Sequence, residues 1–323
     1  MATGQTETPQ QDHDEWLAKV EKEEPTTLHS RPQPLQWITG GLAVLAAGFV
    51  VITFANAKID WPVSFSFLFN PLILEGLSKT VYITIISFAV GLLLGVVFGT
   101  MRLSENRVLA GIAWFYVWIF RGTPLLVQLL LWFNLALILP SIWFPGFGVV
   151  STVAIMTPMM TAIVGLSINE GAYLAEVIRG GILSVDNGQT EAGSALGMSR
   201  WRTMRLVILP QAMPAVLPNL GNSAIGLLKT SSLASLVSYP ELVNRAQSLY
   251  FVNGRVMEIL LVVAFWYLVA TSVMSIGQYY LERHYGRSLT RKTGILQRMS
   301  NRVLHSFMRR FDHGNPAVRE TTD

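Results

Sequence analysis

The residue in this chain that most needs a chemical account is Glu170. It sits inside an apolar run, nine residues before Arg179. At about 1.5 Å per helical residue that places it about 13 Å from the end of the run, near the middle of a hydrocarbon layer about 30 Å thick. A carboxylate there costs at least ~2.5 kcal/mol unless a polar cavity or a partner receives it. Asn169 adjoins it and Tyr173 follows at i+3, on the same helical face. Two chemistries fit: Glu170 meets a basic group passing through a polar path, or it forms a structural ion pair with Arg121 or Lys229 of other spans. Lys229, near the outer end of its span, could attract a carboxylate or snorkel to headgroups, and Arg121 reads as an anchor at the inner edge. Glu176 has a local partner in Arg179, three residues on.

A second stretch, Glu191 to Pro210 (EAGSALGMSRWRTMRLVILP), is polar and basic between strongly apolar neighbours. Residues 191–196 suit a short helix that Gly197 can end in the left-handed conformation, and Ser199 is a fair N-cap for a second helix from Arg200. Trp201, Met204, Leu206, Val207 and Ile208 give that helix an apolar side, while Arg200, Arg202 and Arg205 face water or headgroups. Pro210 is expected to close it. A helix, a turn and a helix across a membrane surface is a shape for docking.

The elements that must position these residues follow from composition. With 323 residues, 51% of them hydrophobic, 14% charged and a mean hydropathy of +0.43, the chain reads as an all-α polytopic membrane protein. There are no cysteines, and the five histidines (His13, His29, His284, His305, His313) lie in the terminal tails. Catalytic residues and a metal site are therefore not expected, and a membrane enzyme is disfavoured. No Gly-Lys dipeptide occurs, so this chain holds no P-loop.

Residues 1–36 form an acidic tail expected to be disordered. The apolar run 37–57 is long enough to cross a membrane and is read as a retained first span. A second span covers about Val81 to Met101, with Gly91, Gly95 and Gly99 on one face for close helix packing. Val108 to Phe120 is expected to be an interfacial helix leading, through Arg121-Gly122-Thr123-Pro124, into a third span that ends near Leu139. A fourth span is placed at about Val153 to Ile178. The fifth covers about Ala212 to Leu228, carries Pro214 and Pro218, and suits a buried position lining a path; a sixth runs from about Val256 to Tyr280. About six spans with the N-terminus inside put 19 of the 24 Lys and Arg on the cytoplasmic side, as the positive-inside rule expects. The loop at 191–210 and both termini are then cytoplasmic, the basic tail at 283–323 included.

On its spacings, the stretch 191–210 resembles the cytoplasmic signature loop of the binding-protein-dependent ABC importer permeases. That pattern is Glu-Ala-Ala, three residues, Gly, nine residues, Ile, one residue, Leu-Pro. Glu191, Ala192, Gly197, Leu209 and Pro210 match it, with Gly193 in place of the second Ala and Val207 in place of Ile. The polar amino-acid branch is resembled further in 121–128 (RGTPLLVQ), in 169–173 (NEGAY) with Ala175-Glu176 and Arg179-Gly180-Gly181, in 208–212 (ILPQA) and in 227–233 (LLKTSSL).

The resemblance covers about residues 77–282 and implies a five-helix permease core, so the span at 37–57 is an extra N-terminal helix. It implies a multi-pass subunit of the bacterial cytoplasmic (inner) membrane that pairs with a second permease, as a homo- or heterodimer. A separate ATPase subunit would bind ATP and Mg and grip Glu191, Ala192, Gly193, Gly197, Leu209 and Pro210. An extracytoplasmic solute-binding protein would deliver a polar amino acid, and the lipid bilayer is the surrounding partner. No cofactor in this chain and no nucleic acid partner are implied. The candidate substrate path comprises Gln128, Asn169, Glu170, Tyr173 and Lys229. The alternative is an ion-coupled secondary transporter or channel using Glu170, which leaves the signature loop unexplained.

Overall fold

The computed structural model describes residues 34–56, 58–146 and 148–283. Its contacts divide the chain into a unit up to Lys58 and a unit from Ile59 onward. In the first, α1 (Pro34–Ala55) covers the expected first span, and Leu42, Leu45 and Phe49 on it are exposed. The tail expected at 1–36 and the basic tail lie, but for their innermost residues, outside the described residues.

The second unit opens with α2 (Trp61–Phe67), capped by Asp60, which accepts from the Val63 amide. The long helix α3 (Pro71–Met101) starts ten residues before the expected second span. Asn70 accepts from the Leu72 amide and Pro71 occupies the first turn, where its missing N–H costs nothing. At 31 residues, about 46 Å, α3 outruns the hydrocarbon core. Its buried positions recur every three or four residues: Ile73, Gly76, Thr80, Ile83, Ser87, Gly91, Gly95 and Gly99.

The expected third span is corrected. Helix α4 (Arg107–Gly122) and helix α5 (Leu125–Phe133) meet at a 101° bend. The nine residues of α5, about 14 Å, cannot cross a membrane. Only together are the two long and apolar enough to do so, as a broken span or a re-entrant loop. Thr123 and Pro124 are both extended, which breaks the helix between them. Beyond Phe133 comes a 3₁₀ turn (Leu135–Leu137) and a hairpin of β1 (Ser141–Phe144) and β2 (Gly148–Ser151), register Ser141↔Ser151. The short α6 (Thr152–Ile155) follows, its Thr152 amide bonded to the Pro140 carbonyl.

Helix α7 (Pro158–Leu183), capped by Thr157, is the axis of the unit, its buried side packed along α3. Then come α8 (Asn187–Ala195), α9 (Arg200–Thr203), a π-helical turn (Met204–Ile208), and α10 (Leu209–Thr230), which continues into a 3₁₀ turn (Ser231–Val237). The described residues end with α11 (Leu242–Asn253) and α12 (Val256–Arg283). One apolar core gathers Ile83, Leu129, Leu166, Leu227, Val237 and Tyr239 from α3, α5, α7, α10 and the segment after it. A second joins Ile73 to Leu242, Ala246, Ile259 and Val262 of α11 and α12.

Candidate functional site

Glu170 lies at the centre of α7, 9% exposed, and its Oε1 has no hydrogen-bond partner. Gly91 brings α3 against it: a methyl group there would stand 3.2 Å from both Glu170 Cβ and the Ser167 carbonyl. Ser167, one turn before Glu170, and Ser87, one turn before Gly91, are buried with hydroxyls that also lack partners. The hydroxyl of Ser223 on α10 interacts with the carboxyl group. Three helices thus place a carboxylate and three hydroxyls near the middle of the bundle, a set suited to accepting hydrogen bonds from an ammonium or guanidinium group. The ion pairs considered for Glu170 do not form. Arg121 stacks over the Tyr173 ring at 5.1 Å, and Lys229 is exposed, without an ion pair among the described residues.

Gln128 and Asn169 come together, though in another arrangement. Gln128 reaches back across the bend and donates to the Phe120 carbonyl (3.0 Å), the Thr123 carbonyl (3.1 Å) and Thr123 Oγ1 (2.8 Å). Asn169 donates to the Phe120 carbonyl (3.0 Å) and to Gln128 Oε1 (3.2 Å). Their amides occupy backbone groups that the end of α4 leaves open, which holds the 101° bend against α7. Tyr173 is partly exposed and turned to Arg121 rather than to Glu170. Glu176 pairs with Arg179 as expected, at 2.8 Å, and also with Arg102 at the end of α3, at 3.3 Å.

In the 191–210 loop the expected break is present. Gly197 has φ +69°, and the amides of Gly197 and Met198 bond to the carbonyls of Ser194 and Gly193, a Schellman end to α8. Ser199 caps α9 by accepting from the Arg202 amide. Gly193 is buried under Thr203: a methyl group would stand 2.7 Å from that side chain, so glycine lets the two short helices close on each other. Pro210 does not close the second helix. The π-helical turn, in which the Leu209 amide bonds to Met204, carries the chain straight into α10, with Pro210 in its first turn. Gln211 fastens the loop to α10, donating to Gln189 Oε1 and to the Val207 carbonyl. Glu191 and Ala192 are exposed, and so are the apolar side chains of Leu196 (81%), Trp201 and Leu206. Glu105, which precedes α4, bonds Arg200 at 2.8 Å; that hydrogen bond, and then the charge behind it, hold the Glu105 carboxyl below its ordinary range.

Sequence reasoning missed Ser87, Ser167, Ser223 and Glu241. The first was legible as a continuation of the Gly91, Gly95, Gly99 face; the next two required knowing which face of α7 meets α10. Glu241 is fully buried at the start of α11, accepting from the amides of Val243 and Asn244 and from the Tyr267 hydroxyl, and serves as a cap.

The model of the family described as "Binding-protein-dependent transport system inner membrane component" matches residues 91–287. The chain is 40% identical over 273 residues to the arginine transport system permease protein ArgU of Corynebacterium glutamicum, covering 83% of this chain and 86% of that one. It is 35% identical over 227 residues to the glutamine transport system permease protein GlnP of Escherichia coli, covering 70% and 97%. Among solved structures, the one titled "Crystal structure of an amino acid ABC transporter with histidines" aligns with a TM-score of 0.61 and 33% identity, over 71% of this chain and all of that chain. With the signature loop folded as two helices about Gly197, and this match over more than half its length, the chain belongs to the family of binding-protein-dependent transport system inner membrane components.

Proposed function

We propose that this chain is the transmembrane permease subunit of an ATP-driven ABC importer for polar amino acids. The observation that carries the reading is the loop at 191–210. Its two short helices close over Gly193, expose Glu191, Leu196 and Trp201, and run without interruption into α10. A separate ATPase subunit, which binds ATP and Mg, grips this loop and the residues Glu191, Ala192, Gly193, Gly197, Leu209 and Pro210. Closure on ATP then moves α10 as a lever, a rigid-body switch of the alternating-access kind. A second permease subunit and an extracytoplasmic solute-binding protein complete the complex. About six crossings of the bacterial inner membrane, both termini cytoplasmic, are the topology this requires. Glu170 receives the α-amino or side-chain cation of the passing amino acid. Gln128 and Asn169 shape the path by holding the bend; Tyr173 and Lys229 stand along it, toward its inner and outer ends.

The test is uptake by the full complex in proteoliposomes, with arginine and glutamine as first substrates. Uptake should require ATP and the binding protein and should ignore imposed ion gradients. Glu170→Gln should assemble with the ATPase yet lose most of the uptake; normal uptake by that variant would remove Glu170 from the path. Uptake driven by a proton gradient alone would overturn the importer reading.

A further inference from the structure

One cavity lies beside the proposed path through the bundle and shares only Tyr173 with it. It has a volume of about 440 Å³ and opens between α4 and α7, lined by Arg102, Trp114, Trp118, Arg121, Tyr173 and Glu176 among others. Its charges do not balance. Glu176 is shared between Arg102 and Arg179, while Arg121 lines the cavity without an ion pair of its own among the described residues. Two guanidinium groups thus hold one carboxylate, and a third, that of Arg121, lines the same cavity. Arg121 lies over the Tyr173 ring at 5.1 Å, which leaves its N–H edge free for an oxyanion. Beside it, Trp114 and Trp118 stack at 5.9 Å, 8° from parallel, and both are more than half exposed. Exposed tryptophans next to arginines mark the depth where acyl chains give way to headgroups. Arg102 caps α3 at the end that the proposed topology puts in the cytoplasm.

We infer that this cavity is a binding site for the headgroup of an anionic membrane phospholipid, with the phosphodiester against Arg121 and Arg102 and the acyl chains along Trp114 and Trp118. A free phosphate would satisfy the arginines but would leave the stacked tryptophans uncovered, so the lipid fits the whole lining. The placement in the inner leaflet rests on the topology of the importer reading. Lipid retention, however, is measured without transport, so the two can fail separately.

The experiment is native mass spectrometry of the complete complex purified with mixed phosphatidylglycerol and phosphatidylcholine. The wild type should keep phosphatidylglycerol preferentially. Arg121→Gln should lower that retention roughly fivefold, the loss expected for one arginine near an anionic surface, and leave phosphatidylcholine unchanged. Arg121→Lys, which keeps the charge, should retain most of it. Glycerol 3-phosphate in excess should not displace the lipid; displacement would make the ligand a soluble phosphate and overturn the proposal. Displacement by free arginine would assign the cavity to the substrate and would equally overturn it. Equal phosphatidylglycerol retention in wild type and Arg121→Gln would do the same. Should Arg121→Gln fail to assemble, thermal unfolding of the wild type decides: phosphatidylglycerol must raise the midpoint above phosphatidylcholine, and no difference refutes the site.

Discussion

At the scale of residues, the bundle is set by what its smallest side chains permit. Gly95 admits α7 so closely that a methyl group in its place would stand 2.7 Å from Leu174 Cβ, and Gly99 would meet the Ala175 carbonyl at 2.8 Å. Between helices that gain no hydrophobic drive from leaving lipid, such close approach is the main source of attraction. Gly95→Leu should therefore destabilise the seam by about 1–3 kcal/mol or more, the range for overpacking a filled contact. Gly111→Ala, with nothing within 4 Å, should be neutral or slightly stabilising. The thermal unfolding midpoints of the solubilised complex compare the two; equal midpoints would contradict the packing account. The same closeness contributes to the burial of Glu170, against whose Cβ and Cγ Gly91 lets the α3 backbone arrive.

At the scale of elements, the signature loop is two short helices broken at Gly197, and its two halves are fixed by different means. Its first half ends at Gly197, where φ +69° asks for a residue without Cβ. Gly197→Val should cost the loop at least ~1–2 kcal/mol of local strain and reduce pull-down of the ATPase, while α3 and α7 stay intact by hydrogen exchange. Its second half is held to the 102–106 connection by the Glu105–Arg200 pair. Because the Glu105 carboxyl lies below the ordinary value of 4.5 when folded, this contact is fully present above that pH and is lost as pH falls below it, through the folded value. Both side chains are largely exposed, so the effect should be confined to the loop and should also fade in high salt. Hydrogen exchange at residues 199–203 should be flat from neutral pH to about 4.5 and accelerate below, after correction for intrinsic rates. Glu105→Gln should abolish that step. The bend between α4 and α5 is the other mechanical element, and Gln128 and Asn169 hold it by satisfying the carbonyls of Phe120 and Thr123.

At the scale of the whole molecule, topology is the property to test, and the absence of cysteine makes the test clean. Ser194→Cys, exposed on α8, should react with a membrane-impermeant maleimide only when the cytoplasmic face is open. Trp143→Cys, exposed on β1, should react from the opposite face. Labelling of both from one side would refute the proposed orientation. Much of this level was legible in the residues. The 3.6-residue period, the capping signal at Ser199, and the glycine face at 91, 95 and 99 all correspond to observed features. The third crossing was not, because an apolar run has the same composition whether it stands upright or turns through 101°. The continuity of the signature loop with α10 was missed for a related reason. Pro210 reads as a stop by residue type, yet a π-helical turn leads into it and it occupies the first turn of α10, where its missing N–H costs least.

Periodicity, hydropathy and motif spacing are local properties, and they alone determined the family, the helical fold class and the helix break at Gly197. What only the tertiary structure decided is which polar groups face each other. Glu170 packs against α3 at Gly91 and has Ser223 of α10 as a partner instead of Arg121 or Lys229, and Gln128 and Asn169 serve the bend, because helix rotation and crossing depth depend on where the glycines let neighbours approach. Side-chain spacing within one helix carries no record of the helix opposite.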